Sequence, residues 1–388
     1  MADGRHIEAA IYERLSKVID PELGRSVTDL GMIAAIDATP KSASGIEQVD
    51  GVADAGDAAD TRDAYDVTVH VELTVPGCPL SETITNQING AVASYPDAAL
   101  TPHIEVGSMS RDKLDDLVAG LKAERKQNPF NKPGVKTRIF AIASGKGGVG
   151  KSSVTANLAA TFAALGYDTA AIDADIYGFS LPRLFGVNTQ PTNLNGMLMP
   201  VTAWGVKLIS IGMFAGADRA ILWRGPRLQR SLEQFLSDVW WGEPDVLLLD
   251  LAPGTGDMAI SVAQALPNAE LVVVTTPQPS ASDVAVRSGL VALQVPMKVR
   301  GVVENMSYYE HKGEKLEIFG RGGGERVSEQ LTEALGCDVP LMAQLPLEPE
   351  LRETGEAGRP AVLDADGALR TDGVGAEFTA LAERLMAA

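Results

Sequence analysis

The run Ser144-Gly145-Lys146-Gly147-Gly148-Val149-Gly150-Lys151-Ser152 has the residue types and spacing of a loop that binds phosphate. Gly145, Gly150, Lys151 and Ser152 satisfy Gly-x-x-x-x-Gly-Lys-Ser, so successive backbone N–H groups can wrap phosphate oxygens. Side chains at Gly147, Gly148 and Gly150 would hold the backbone away from those oxygens. Lys151 supplies a mobile ammonium for the β- and γ-phosphates, Ser152 is the expected Mg²⁺ ligand, and Val149 and Ser153 complete the cradle. Lys146 is a second, earlier lysine in the same loop.

Other acids stand where such a loop would need them. Asp173-Ala174-Asp175 ends an apolar run, and open α/β sheets bind ligands at the carboxyl ends of their strands. Asp175 is the candidate for orienting an attacking water, with Asp173 in a supporting or metal-shell role, and a purely structural strand-end role for both stays open. Asp250 closes the apolar run 246–249 and is placed to hold Mg²⁺ beside Ser152. The glycine-rich stretch 251–257 can swing relative to a γ-phosphate, and Asp257 either follows that motion or caps the next helix. Cys78, after a Pro76-Gly77 turn and before a helical run, is either a thiol of lowered pKa or a small buried hydrophobe.

The elements that must position these residues follow from pattern. Residues 138–143 read as a buried strand and 153–165 as a helix stopped by Gly166, which puts the loop at a helix N-terminus, where partial positive charge and unpaired N–H groups favour an anion. Strands at 169–172, 206–211, 246–249, 271–275, 299–303 and 341–345 alternate with helical stretches. The implied fold is α/β, a mostly parallel doubly wound P-loop NTPase sheet preceded by a small α+β domain. In that first domain, residues 1–108, Ile7, Ile11, Leu15 and Val18 mark one face of a helix, 31–37 and 65–74 read as strands, and 80–93 as a helix. An acidic insertion with almost no large apolar residue occupies 40–64, and a charged linker spans 109–135 before the nucleotide-binding P-loop domain at 136–388.

Composition narrows the functional classes. With 388 residues and 45% hydrophobic content, the chain can build two cores. A formal charge of −18, from 51 acidic and 33 basic residues, opposes general binding to nucleic acid or anionic membranes. That acidity fits a high-salt cytoplasm or an ordinary acidic cytosolic protein equally well. No apolar run reaches membrane-spanning length, so a cytoplasmic location is expected. The two cysteines, Cys78 and Cys337, form no C-x-x-C pair, and Cys337 reads as structural.

Taken together, Lys146 with Lys151 resembles the deviant phosphate-loop ATPases of the partitioning and arsenite-pump superfamily. Asp173-Ala174-Asp175-Ile176-Tyr177-Gly178, Trp223-Arg224-Gly225-Pro226, 251–257 and Glu304-Asn305-Met306-Ser307-Tyr308 narrow the likeness to Mrp-type iron–sulfur cluster carrier ATPases, over residues 136–388. The resemblance implies a homodimer with ATP and Mg²⁺ between its subunits, Lys146 reaching the partner's nucleotide and Asn305 recognising adenine. Residues 1–107 resemble the small iron–sulfur-assembly domain often fused to such ATPases, through Asp20-Pro21-Glu22, Asp29-Leu30-Gly31 and Gly77-Cys78-Pro79. Iron–sulfur assembly proteins and recipient apoproteins are the implied partners.

One departure bears on cargo. Cluster-carrying members usually have a C-x-x-C pair soon after Asn-Met-Ser, whereas here the stretch reads Tyr308-Tyr309-Glu310-His311-Lys312-Gly313-Glu314-Lys315. His311 reads as a solvated loop histidine, and Cys78 is the substitute thiolate for an iron–sulfur cluster. The expected function is an ATP-hydrolysing dimer that assembles or delivers clusters. The alternatives are a nucleotide-dependent scaffold that carries none and a MinD/ParA-like positioning ATPase. The latter's basic amphipathic tail is not seen in residues 376–386, which are acidic on their polar face.

Overall fold

The computed structural model describes residues 4–41, 63–74, 81–123, 128–175, 178–214, 225–254, 257–295 and 297–387. Most of the acidic insertion, Cys78 and the Trp223-Arg224 pair lie outside them. Two compact units divide the chain between residues 124 and 125.

The first unit contains α1 (Gly4–Leu15), β1 (Ile33–Pro40), β2 (Ala64–Leu73), α2 (Ser81–Ala93), β3 (Ala99–Ser108) and α3 (Arg111–Ala123). Strict alternation in β2 sends Tyr65, Val67, Val69, Val71 and Leu73 to one buried face. Ile7, Ile11 and Leu15 of α1 and Ile84, Ile88 and Val92 of α2, each at i, i+4 spacing, are buried as well. β1 pairs antiparallel with β2, whereas β3 pairs parallel to β2, a geometry that needs a crossover, and α2 supplies it. The charged stretch after residue 109 forms α3, which buries Val118 and Leu121 and joins Lys113 Nζ to Glu72 Oε2 at 2.6 Å, so it groups with this unit.

The second unit is built on β4 (Arg138–Ser144), α4 (Lys151–Ala164), β5 (Thr169–Ala174), β6 (Val201–Ala203), β7 (Val206–Ser210), α5 (Gly225–Ser237), β8 (Val246–Leu251), α6 (Asp257–Ala265), β9 (Glu270–Thr275), α7 (Pro279–Gly289), β10 (Lys298–Glu304), α8 (Gly323–Leu335), β11 (Leu341–Gln344) and α9 (Gly373–Met386). Among the described residues, the eight strands of its main sheet lie in the order β11-β10-β9-β4-β8-β5-β7-β6, all parallel except the antiparallel edge strand β6. Consecutive residues serve opposite faces. Ile139, Ala141 and Ala143 of β4 join a core with Val262 of α6 and Leu331 of α8, while Phe140 and Ile142 join another with Leu158 of α4 and Leu381 of α9. Burial on both faces is why these strands read as unbroken apolar runs. From β4 the chain steps to β5 on one side and later to β9, β10 and β11 on the other, which opens a crevice above the carboxyl ends of the central strands.

Candidate nucleotide site

The loop between β4 and α4 sits in that crevice. Gly148 and Gly150 adopt φ of +84° and +80°, the left-handed region that glycine enters without penalty. Gly150 caps α4 with no side-chain hydrogen bond, so the first N–H groups of the helix, at Lys151 to Ser153, have no side-chain acceptor there and are placed for an anion. Gly145 answers a different demand. A Cβ there would collide with the backbone of Val284 and Ala285, so its absence lets α7 pack directly on the loop. Gly147 and Gly148 are exposed and Val149 is buried.

Below the loop lies a closed polar cluster. Asp250 is fully buried at the end of β8, where its carboxylate accepts from Lys151 Nζ at 2.5 Å, Thr155 Oγ1 at 2.9 Å and Ser152 Oγ at 2.6 Å. Lys151 is 6% exposed. A charge so deep in the protein is tolerated only with a counter-charge and satisfied lone pairs, and Asp250 has both. Ser152 and Asp250 together present hard oxygen donors of the kind Mg²⁺ takes, beside an ammonium and a row of N–H groups suited to phosphate.

Asp173 lies next to Asp250, because β5 and β8 pair in parallel with these two residues in register. Its Oδ2 accepts from the backbone of Ser180 at 3.0 Å and Leu181 at 3.1 Å and from Ser210 Oγ at 3.1 Å, while Oδ1 accepts from Asp175 N at 3.2 Å. Burial, reinforced by the Asp250 carboxylate, pushes the Asp173 carboxyl up to about 7, against the pull of the Leu181 and Ser180 amides and Lys151. Asp173 therefore ties the backbone of Asp175 to that of Ser180 and Leu181. Asp175, 7% exposed, accepts from Gly178 N at 3.0 Å through Oδ1.

The remaining sequence candidates fall around the same loop. Asn305, just after β10, donates from Nδ2 to Val149 O at 2.9 Å and is 5% exposed. A Cβ on Gly150 would strike that amide. Lys146 is half-buried, and its Nζ donates to Ser280 Oγ at 3.1 Å in α7 of its own chain. Ser153 is half-buried at the start of α4, and its carbonyl accepts from Asn157 Nδ2 at 2.8 Å. The structure thus gathers Gly145 to Ser153, Asp173, Asp175, Asp250 and Asn305 at one end of the sheet.

Cys78 and residues 255–256 lie outside the described residues. Cys337, read as structural, is exposed immediately past the left-handed Gly336 that ends α8, so it belongs to no core. His311 is exposed in a short hairpin, its ring 6.2 Å from that of Tyr309. Among the described residues, no group of three or more His, Cys, Asp or Glu side chains is arranged to hold a metal ion, and no helix is long and apolar enough to cross a membrane.

Sequence reasoning gives no role to Thr155, Ser210 or Ser280, and it takes Glu304 only as part of the Glu304–Tyr308 motif. Thr155 follows Lys151 by one helical turn, and Glu304, like Asp250, is an acid ending an apolar strand. Those were the available signals.

Residues 135–385 match the protein family described as NUBPL iron-transfer P-loop NTPase, and residues 8–44 match the family described as iron–sulfur cluster assembly protein. The chain belongs to the first of these families. It is 44% identical over 384 residues to the iron–sulfur cluster carrier protein of Mycobacterium tuberculosis, spanning 98% of this chain and 93% of that one. The Deinococcus radiodurans protein of the same name is 36% identical over 358 residues, covering 91% of this chain and 89% of its own. Among solved structures, a nucleotide-binding protein from Archaeoglobus fulgidus in complex with ADP is 32% identical, covering 59% of this chain and 90% of that chain with a TM-score of 0.48. This membership accords with the resemblance drawn from the loop and strand-end motifs, and makes the chain a P-loop NTPase.

Proposed function

We propose that this chain is an ATP-hydrolysing homodimer that binds iron–sulfur clusters and transfers them to apoproteins or assists their assembly. The observation that carries the reading is the Lys151–Ser152–Asp250 cluster beneath an uncapped helix N-terminus, in a chain aligned almost end to end with proteins named as cluster carriers. In this reading the N–H groups of Gly145 to Ser153 cradle the phosphates, and Lys151 leaves Asp250 for the β/γ-phosphates. Lys146 leaves Ser280 to reach the nucleotide of the second subunit. Ser152 and Asp250 would hold Mg²⁺, which would supply positive charge to offset that of the phosphates. Asp175 orients the attacking water and Asn305 contacts adenine. Hydrolysis changes the geometry of the dimer, with no phosphate passed to an acceptor, and iron–sulfur assembly proteins and recipient apoproteins are the partners.

The cluster is cargo, and Cys78 is our candidate thiolate for it. Anaerobic reconstitution with iron and sulfide, read by visible absorption on wild type and Cys78→Ser, tests this. Charge-transfer absorption in wild type that is lost in the variant is the expected result. Absorption unchanged in Cys78→Ser removes Cys78 from the ligand set. No absorption in wild type favours the second reading, a nucleotide-dependent scaffold, which the lack of a C-x-x-C pair in the sequence already motivates.

A further inference from the structure

Glu304 is the last residue of β10 and is 1% exposed, yet no step of the proposed ATP chemistry uses it. Its Oε1 accepts from Ser307 Oγ at 2.8 Å and Gln344 Nε2 at 3.1 Å, and its Oε2 accepts from Gly324 N at 2.5 Å. These donors are a hydroxyl, a side-chain amide and a backbone N–H, so no cation is among them. A carboxylate in such a place is costly to bury, and the N-terminal turn of α8, where Gly324 lies, offsets part of that cost. The fit is close. A Cβ on Gly324 would lie 2.8 Å from Glu304 Cβ, so the approach of α8 to this carboxylate depends on glycine.

The residue after Glu304 is Asn305, and the short segment that follows has little freedom. Asn305 N donates to Thr275 O at 2.9 Å, Met306 sits at a φ of +57°, and Ser307 N donates to Leu345 O at 2.9 Å. A methionine in the left-handed region persists only where its neighbours hold it. Glu304 grips the far side of that turn through Ser307 and ties it to α8 and β11. The near side presents the Asn305 amide to Val149 O in the phosphate loop.

We propose that Glu304 is a positioning residue that holds Asn305 against the phosphate loop and thereby sets affinity and base selectivity for the nucleotide. The proposal rests on the reading of Asn305 as the adenine contact. Glu304 touches no nucleotide itself. It acts by fixing the turn that aims Asn305, and three donors from three different elements make that turn a single conformation.

A double-mutant cycle on the full chain, with ATP and GTP as probes, tests this. Glu304→Gln places an amide N–H₂ among groups that are themselves donors. We expect it to raise KM for ATP about tenfold, to shrink the preference for ATP over GTP, and to leave kcat at saturation within about twofold. Asn305→Ala should likewise raise KM for ATP and shrink the preference over GTP, and the double variant should bind ATP no worse than Asn305→Ala alone. Ser307→Ala, which keeps the carboxylate and removes one donor, should shift KM the same way by about threefold, and it carries the test if Glu304→Gln does not fold. If Asn305→Ala weakens ATP binding and Glu304→Gln, or Ser307→Ala in its place, adds its full effect on top, the positioning role is wrong while the adenine reading stands. If Asn305→Ala leaves ATP binding unchanged, the adenine reading fails and the inference falls with it.

Discussion

Two polar clusters on two sheets use the same kinds of side chain and differ in depth. In the second unit, Asp250 is fully buried and Lys151 nearly so, at the carboxyl end of parallel strands. In the first, His70 lies on the open face of the three-stranded sheet, its Nε2 3.1 Å from Asp37 and its Nδ1 3.1 Å from Glu105, with side chains 36%, 64% and 68% exposed. Lys41 and His103 flank Asp66 on the same face. Water solvates every member of that exposed cluster whether or not it pairs. The buried cluster has no such alternative, so its geometry is fixed by its own hydrogen bonds and is ready to be rearranged by an incoming anion. Depth, more than residue type, separates a candidate site from a decorated surface.

That contrast is sharpest at Lys151. Lys151→Ala leaves Asp250 buried with two hydroxyls and no counter-charge, and should destabilise the second unit by about 3–5 kcal/mol, read as a lowered urea midpoint. ATP hydrolysis, followed by phosphate release, should fall by about 10²–10³-fold. A variant that kept its midpoint would show that Asp250 needs no counter-charge in the fold, and the comparison with the surface cluster would collapse.

The next effect concerns the backbone around the same cluster. Gly145→Ala puts a methyl group into the backbone of Val284 and Ala285, and should cost about 1–3 kcal/mol and loosen α7 from the phosphate loop. Gly147→Ala has open space at its Cβ and should be tolerated structurally, within about 1 kcal/mol. Thermal midpoints of the two variants measured side by side separate the contact at Gly145 from the general effect of adding a methyl group.

Much of this site could be read from sequence because its parts are local. A strand, a glycine loop with lysine and serine, and a helix are contiguous, Asp173 and Asp250 each end an apolar run, and Asn305 follows the acid that ends another. What could not be read depends on which runs become neighbours. Ser280 meets Lys146 and Gly145 meets Val284 only because α7 folds over the loop. In the first unit, Pro102 and Gly107 break the alternating pattern of β3, a composition that an edge strand tolerates when only one side of its ladder is paired. The antiparallel edge strand β6 spans three residues, too few for any periodicity.

Asp173 extends the comparison to pH. Its folded-state pKa stands at about 7 against 3.8 for an ordinary aspartate, because it is buried and faces Asp250. The folded chain thus keeps a proton that the unfolded chain has released. The associated stability is fully present below 3.8 and is lost as pH rises through about 7. Urea midpoints should therefore fall between about pH 5 and about pH 8 in wild type, and fall less in Asp173→Asn. Equal slopes would mean that the carboxyl titrates as it would at a surface.

The exposed cluster should show the smallest effect, and it is the control for all the others. His70→Ala removes two short contacts to carboxylates and Lys41→Ala removes a pair with Asp66, yet each should change stability by no more than about 0.5 kcal/mol. The groups left behind are already open to water, so neither change strands a buried charge. Raising salt from about 0.1 M to about 1 M should erase even this difference, since the screening length then drops to about 3 Å. A loss above about 2 kcal/mol in His70→Ala would contradict the ranking by depth, because it would mean that the open face of this sheet is held by charge as firmly as the crevice of the other.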